Sequence, residues 1–307
     1  MILILGVTAS GKGKLAFELA KSLDAEIISV DSMKIYRRMD VGTAKPPKQA
    51  QAKVKYHLID VVEPSESFNV GMFIELTNQA IDQIKKQNKP VVAVGGTALY
   101  IKSLLYGIFE GPGTDHQIRN QLKGEAKNQG LAKLHEQLSK LDPQAALKIH
   151  PNDEKRIIRA LEVHQLTGKP ISSFQNQWTQ DNSSISENWK IIGLRRAKSL
   201  ESQRINARVK EMIGKGLVEE VKSLLNEDKP LSKQALGAIG YAEIIDHLNN
   251  KISLAQAVEL IKKNTRLLAK HQRTWFKTFS DVNWLDLEPE EKPESILERT
   301  KLLLKNI

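Results

Sequence analysis

Seven residues near the start of the chain, Gly6-Val7-Thr8-Ala9-Ser10-Gly11-Lys12, set two glycines and a lysine at the spacing G-x-x-x-x-G-K. That spacing suits one kind of chemistry, the holding of a phosphate chain. The glycines let the backbone curl its N–H groups inward into a concave nest, and the lysine adds a point charge. Gly13 follows, where the usual motif has a Ser or Thr whose hydroxyl holds Mg²⁺. Two further groups could act on a ligand held there. Asp31 closes the apolar run Glu26–Val30 and is a general base or a helix cap. Thr97 follows Gly95-Gly96 and reads equally as a helix cap or as a hydroxyl offered to an anion. Far along the chain Lys263, Arg266, Lys270, Arg273 and Lys277 are spaced 3, 4, 3 and 4. On a helix they share one face, a stripe of roughly 20 Å at about 1.5 Å per residue. A stripe of cations with no acid within it can track a phosphate backbone or simply be solvated.

The elements that must position these groups can be read from the pattern. Ile2–Leu5 is an apolar run short enough for a buried strand, and Leu15, Leu19 and Leu23 then recur at helical spacing. Strand, glycine turn and helix in that order are the context a phosphate loop requires, because the helix N-terminus adds unpaired N–H groups and a positive dipole end. Glu26–Val30 and Pro90–Val94 read as further strands, Tyr56–Asp60 as a short one, and Val70–Lys86 and Ala98–Leu105 as helices. In open parallel sheets ligands bind beyond the carboxyl ends of strands, so Asp31 and Thr97 belong beside the loop. Gly111-Pro112-Gly113 breaks the pattern. From there to about 182 the signals are helical, with Asp142-Pro143 and Asn152-Asp153 as helix starts. Lys190–Leu194 returns to strand, and from 199 onward the chain reads as helical, with Ser253 and Gln256 forming a capping box before the basic helix. Leu260, Ile261, Leu267, Leu268 and Trp275 are expected on that helix's buried side. The fold class is α/β, a P-loop NTPase-like parallel sheet core flanked by helices with an inserted all-helical domain. The expected core is 1–114 with 183–307, and the insertion 115–182.

Lys and Arg outnumber Asp and Glu by 46 to 36 in 307 residues, a net charge of +10 that fits a polyanionic partner. The absence of cysteine removes disulfides, thiolate zinc sites and cysteine nucleophiles. No apolar run approaches the length of a membrane span, and the N-terminus lacks the pattern of a signal peptide. A cytoplasmic protein with no membrane partner is expected.

Taken whole, the sequence resembles the tRNA dimethylallyltransferases, also called tRNA isopentenyltransferases. The likeness rests on GVTASGKG at 6–13, DSMKIYRRMDVGTAKP at 31–46, HLID at 57–60, GGTALY at 95–100, NDEKRIIRALEV at 152–163, GYAE at 240–243 and AKHQRTWF at 269–276. It implies transfer of the dimethylallyl group of dimethylallyl diphosphate to the N6 amine of adenine 37, beside the anticodon of tRNA. The partners implied are the tRNA anticodon stem-loop, dimethylallyl diphosphate and Mg²⁺, with the enzyme a monomer. By this resemblance Gly6, Val7, Thr8, Ala9, Ser10, Gly11, Lys12 and Gly13 hold the diphosphate, Asp31 is the base, and Lys12 and Thr97 act at the reacting centre. Asp31, Ser32, Met33, Lys34, Thr97, Arg119, Lys155, Arg156, Ile157, Ile158, Arg159, Lys270, Arg273 and Lys277 face the tRNA by the same resemblance, which also implicates the segments Gly237–Ala242 and Lys270–Lys277. The sequence departs from the family at Val7 (usually Pro), Gly13 (Thr), Lys34 (Gln) and His271 (Arg). Three other readings stay open: a prenyltransferase acting on AMP, a P-loop kinase of a small metabolite, and an RNA-binding protein with a decayed site.

Overall fold

The computed structural model describes residues 1–107, 111–174 and 188–306. The chain divides into two compact units, Met1–Leu105 with Glu187–Ile307, and Tyr106–Ser186. The polar run over 175–187 lies outside the described residues, and with it the boundary expected near 183.

The first unit is built on six strands: β1 (Ile2–Gly6), β2 (Glu26–Val30), β3 (Tyr56–His57), β4 (Val91–Gly95), β5 (Lys190–Arg195) and β6 (Val282–Asp286). Their order is β3-β2-β4-β1-β5-β6, and every pairing is parallel. Leu3, Ile4, Leu5, Ile27, Ile28 and Val92 are fully buried. Unbroken apolar runs of this kind are what a parallel sheet covered on both faces demands. β4 lies between β1 and β2, with Val30 and Leu5 both in register with Gly95. A Cβ on Gly95 would overlap the Val30 carbonyl, so only glycine fits there. β3 stops at His57 because Leu58 and Asp60 take left-handed φ of 60° and 57°, which ends the strand short of the expected Asp60.

Each crossover is a helix whose start is marked in the sequence. α1 (Lys12–Leu23) buries Leu15, Ala16, Leu19 and Ala20. α2 (Lys48–Lys53) is short, and α3 (Val70–Lys86) is capped by the Asn69 side chain accepting from Met72 N–H. α4 (Ala98–Tyr106) follows β4. The second unit holds α5 (His116–Gln129), α6 (Leu131–Leu141), α7 (Pro143–Lys148), α8 (Glu154–Thr167) and α9 (Ile171–Phe174) around Leu122, Leu134, Leu138, Ile157 and Leu161. Asp142 and Asp153 cap α7 and α8 as the sequence suggests. The first unit resumes with α10 (Lys198–Gly214), α11 (Leu217–Leu225), α12 (Lys233–Leu236), α13 (Tyr241–Leu248), α14 (Leu254–Phe276) and α15 (Pro293–Asn306). Two expectations are corrected here. The chain after 199 is not helical throughout, because β6 pairs with β5. On α14 the Ser253–Gln256 capping box forms, but Leu260, Leu267 and Leu268 are exposed. Ile261 is buried as expected, and its companions on the buried face are Ala257, Lys262, Ala269, Gln272 and Phe276.

Candidate active site

Because the strands are parallel, the loops after β1, β2, β4 and β5 leave the sheet on one edge, and the site grows there. β1 ends at Gly6 and α1 begins at Lys12. Between them Ala9 and Gly11 take left-handed φ of 60° and 103°, which curls the loop. Ser10 is buried, and its Oγ accepts from Lys12 N–H at 3.4 Å. Lys12 Nζ folds back over the loop and donates to the Val7 carbonyl at 3.1 Å. Two arginines take the loop's outward carbonyls. Arg204 of α10 donates to Ala9 O at 2.8 Å, and Arg196, just after β5, donates to Ser10 O at 3.1 Å.

Asp31 follows β2 with no helix behind it, so it is not a helix cap. Its Oδ1 accepts from Met33 N–H at 2.9 Å and Lys34 N–H at 3.2 Å, and Oδ2 takes no donor among the described residues. Thr97 Oγ accepts from Ser32 N–H at 3.1 Å, tying the turn after β4 to the turn after β2. Three cations influence this ground. Burial pushes the Lys12 ammonium down to about 7, with Lys34 and Arg208 adding to the shift and Asp31 opposing it. Burial likewise lowers Lys34 and Arg208, again with Asp31 opposing. Cations held below their ordinary values by burial and mutual repulsion gain most from an arriving polyanion.

The phosphate loop, the Asp31–Lys34 turn, Thr97 and Arg208 line one cavity of about 1260 Å³. Its further wall is the loop 39–44, which is held by a single carboxylate. Glu220 of α11 accepts from the N–H groups of Asp40, Val41 and Gly42 at 2.7–3.1 Å, and from Tyr241 Oη at 2.6 Å. Gly42 lies against the Tyr241 ring so closely that a Cβ would overlap it. α14 contributes Leu268, His271, Gln272 and Trp275 to the lining. Gln272 Oε1 accepts from Thr8 N–H at 2.8 Å and its Nε2 donates to the Gly96 carbonyl at 2.8 Å.

The structure thus brings together the loop residues Gly6–Gly13, Asp31, Ser32, Met33, Lys34 and Thr97. It treats the other expected residues differently. On α14, Lys263, Lys270 and Lys277 are exposed, whereas Arg266 donates to Asn206 at 2.7 Å and Arg273 is paired with the buried Glu201. In the second unit Lys155 and Arg156 are exposed, but Ile157 and Ile158 lie in the core, which removes their side chains from any surface contact. Arg119 and Arg159 both bond the buried carboxylate of Glu162, at 2.9 and 2.7 Å. Sequence reasoning missed Arg196, Arg204, Arg208, Glu220 and Gln272. Arg204 and Arg208 share a helix face at a spacing of four, and Arg196 comes just after the end of β5; the rule of the carboxyl edge could have found it. Gln272 stands within the AKHQRTWF motif at 269–276, but the resemblance gives it no role of its own.

Gly13 is exposed at the start of α1, with open space where its side chain would be. Among the described residues no group of three His, Cys, Asp or Glu could hold a metal. No helix among them is long and apolar enough to cross a membrane.

The family model described as IPP transferase matches residues 34–279. The tRNA dimethylallyltransferase of Geobacter metallireducens is 43% identical over 288 residues, covering 93% of this chain and 92% of that one. That of Acetivibrio thermocellus is 42% identical over 305 residues, 99% and 97% of the two chains. Among solved structures, the full-length tRNA isopentenylpyrophosphate transferase of Bacillus halodurans matches with a TM-score of 0.70 at 37% identity, covering 99% of this chain and 96% of that chain. A eukaryotic dimethylallyltransferase acting on tRNA matches with a TM-score of 0.85 at 27% identity, covering 100% and 78%. With likeness running through both the phosphate-loop unit and the helical unit, this chain belongs to the IPP transferase family of tRNA dimethylallyltransferases.

Proposed function

We propose that this chain moves the dimethylallyl group of dimethylallyl diphosphate to the N6 amine of adenine 37 in a tRNA, in the cytoplasm. The observation that carries the reading is the cavity itself, where a phosphate loop with Lys12, Lys34 and Arg208 faces the carboxylate of Asp31. Breaking the allylic C–O bond leaves the electron pair on the diphosphate. Backbone N–H groups and the three cations stabilise that charge as it grows. The amine lone pair closes the new C–N bond, and Asp31 takes the proton that the nitrogen must lose. The loop therefore binds a leaving group and need not activate a phosphorus centre. An adenine reaches such a site only when unstacked, and bases in RNA loops are the ones most readily splayed out.

Mg²⁺ fits the donors present as an ion carried by the diphosphate. Mg²⁺ keeps most of its waters and is held largely by substrate oxygens. The Thr8 hydroxyl lines the cavity beside the loop and would hold the ion with them, and the ion would offset charge on the departing group. The relatives are tRNA enzymes, which favours a tRNA acceptor over free AMP or a phosphorylated metabolite. The helical unit, with exposed Lys155 and Arg156, and the exposed lysines of α14 are the surfaces assigned to the tRNA. The test is mass spectrometry of an adenosine-37 tRNA incubated with the protein, dimethylallyl diphosphate and Mg²⁺. A gain of one dimethylallyl group on that adenosine supports the reading. Transfer to AMP with none to tRNA overturns it.

A further inference from the structure

We infer that Gln272 is a positioning residue that sets the distance between the two halves of the active site, the diphosphate loop and the turn that carries Thr97. The inference rests on the proposed prenyl transfer. Gln272 is only 7% exposed and stands at the sheet edge between the loops after β1 and β4. The register of those strands ends at Leu5 and Gly95, and beyond it no backbone hydrogen bond among the described residues joins the two loops. The side-chain amide of Gln272 makes the join. Its orientation is fixed by its partners, since the Thr8 N–H can only donate and the Gly96 carbonyl can only accept. From Gly96 the connection passes to Thr97, whose Oγ accepts from Ser32 N–H next to Asp31. One run of peptides and one amide thus links the group that holds the leaving diphosphate to the group that receives the proton.

The amide holds the Thr8 peptide with its N–H turned toward α14 and the Gly96 peptide with its carbonyl turned the same way. Each bond takes up one orphan backbone group, so a hydrophobic replacement would free both peptides to rotate. A shift of about 1 Å between reacting groups is enough to cost about 100-fold in rate. Gly96 supplies an independent handle. A Cβ there would sit 2.5 Å from Gln272 Nε2, so alanine at 96 must push the amide aside while leaving Gln272 in the chain.

The experiment compares Gln272→Met, Gly96→Ala and the double variant in the full-length protein. It reads kcat and KM for tRNA prenylation, the calorimetric Kd for inorganic diphosphate with Mg²⁺, and the thermal midpoint. Each single variant is expected to lower kcat about 10-fold or more and to weaken diphosphate binding, with the KM for tRNA within about twofold. The double variant should be no worse than the worse single, because both act through the same amide. Gln272→Met within about twofold of wild type in kcat and diphosphate Kd overturns the inference, as do single effects that multiply in the double. A residue that merely filled space would lower the thermal midpoint without that split. If Gln272→Met does not fold, Gly96→Ala alone decides by the same thresholds. A wild type that transfers nothing to tRNA sinks the proposed function, while diphosphate binding in the variants still decides the role of Gln272.

Discussion

At the scale of single residues, the site depends on how charges are held before substrate arrives. Lys12 is the sharpest case, since burial with Lys34 and Arg208 brings it down to about 7. A bound diphosphate raises it again, so the complex holds more protons than the free protein at any pH between the two values. Affinity is therefore expected to be level below about pH 7 and to fall above it by up to about tenfold per unit. Calorimetry in two buffers of different ionisation enthalpy should show proton uptake above pH 7 beyond the ligand's own, and Lys12→Met should abolish it. Asp31 makes a different claim. Oδ1 is engaged by two backbone N–H groups, and an asparagine oxygen can keep those bonds while losing the basicity of Oδ2. Asp31→Asn should cut turnover about 10²- to 10⁴-fold with little change in diphosphate or tRNA affinity, and near-normal turnover would show that another group takes the proton. Gly13 has open space around it, and glycine in a first helical turn leaves the loop less pre-organised by up to about 0.5–1 kcal/mol relative to alanine. Gly13→Thr should lower both the KM for dimethylallyl diphosphate and the Mg²⁺ requirement; if a Mg²⁺ titration shows neither moving, position 13 does not reach the ion or the diphosphate.

At the scale of elements, α14 has two faces that a charge stripe alone cannot separate. Lys263, Lys270 and Lys277 stand in solvent, whereas Arg273 serves the buried Glu201 of α10, whose carboxyl burial pushes up against the pull of that arginine. Replacing the three lysines with Gln should flatten the salt dependence of tRNA binding by roughly 0.7–0.9 in log–log slope for each phosphate no longer neutralised. Arg273→Gln should leave the slope unchanged and instead cost about 1–3 kcal/mol of stability, read as a lower thermal midpoint. The reverse pattern would put Arg273 on the RNA and the lysines in bulk solvent. The same helix shows what a sequence discloses and what it withholds. Ser253 and Gln256 announce its start because capping is local, and Asn69 does the same for α3. Which polar residue turns inward is not local. Gln272 is buried because Thr8 and Gly96, 264 and 176 residues away, offer it a donor and an acceptor, and no spacing rule contains that information. Arg208 escaped for the same reason, since its meaning depends on Asp31 and Lys12 arriving from other strands. β6 was missed because Asn283 and Asp286 break its apolar pattern, which an edge strand with a half-exposed face tolerates.

At the scale of the whole molecule, the two units keep separate cores, and the net charge of +10 is uneven between them, with +9 in the first and only +1 in the second, where 10 Lys and Arg meet 9 Asp and Glu. Glu162 is the point at which the helical unit can be tested without touching the other. Its fully buried carboxylate accepts from Asp115 N–H at 2.8 Å and is gripped by Arg119 and Arg159, which also bonds the Gly113 and Pro112 carbonyls. Burial raises its pKa, but the bonds from Arg119 and Arg159 outweigh burial and hold it below the usual carboxylate range. A carboxylate lowered in the folded state lends stability above its unfolded value of about 4.3 and loses it as pH falls through the folded value. The helical unit is therefore expected to loosen in acid, and Glu162→Gln should remove that part of the pH dependence. At neutral pH the same substitution should cost the unit about 1–3 kcal/mol, seen as faster hydrogen exchange over the described residues of 106–174, with the diphosphate Kd of the first unit unchanged. It also makes the protein one charge more positive, which by itself would tighten RNA binding. The sign of the change in tRNA KM therefore separates the two contributions. A rise shows that the geometry imposed on Arg119 and Arg159 matters to the tRNA, as the proposed role of this unit requires. A fall, with exchange in the unit accelerated, shows that charge alone is felt and that Glu162 holds the unit together without aligning it on the RNA.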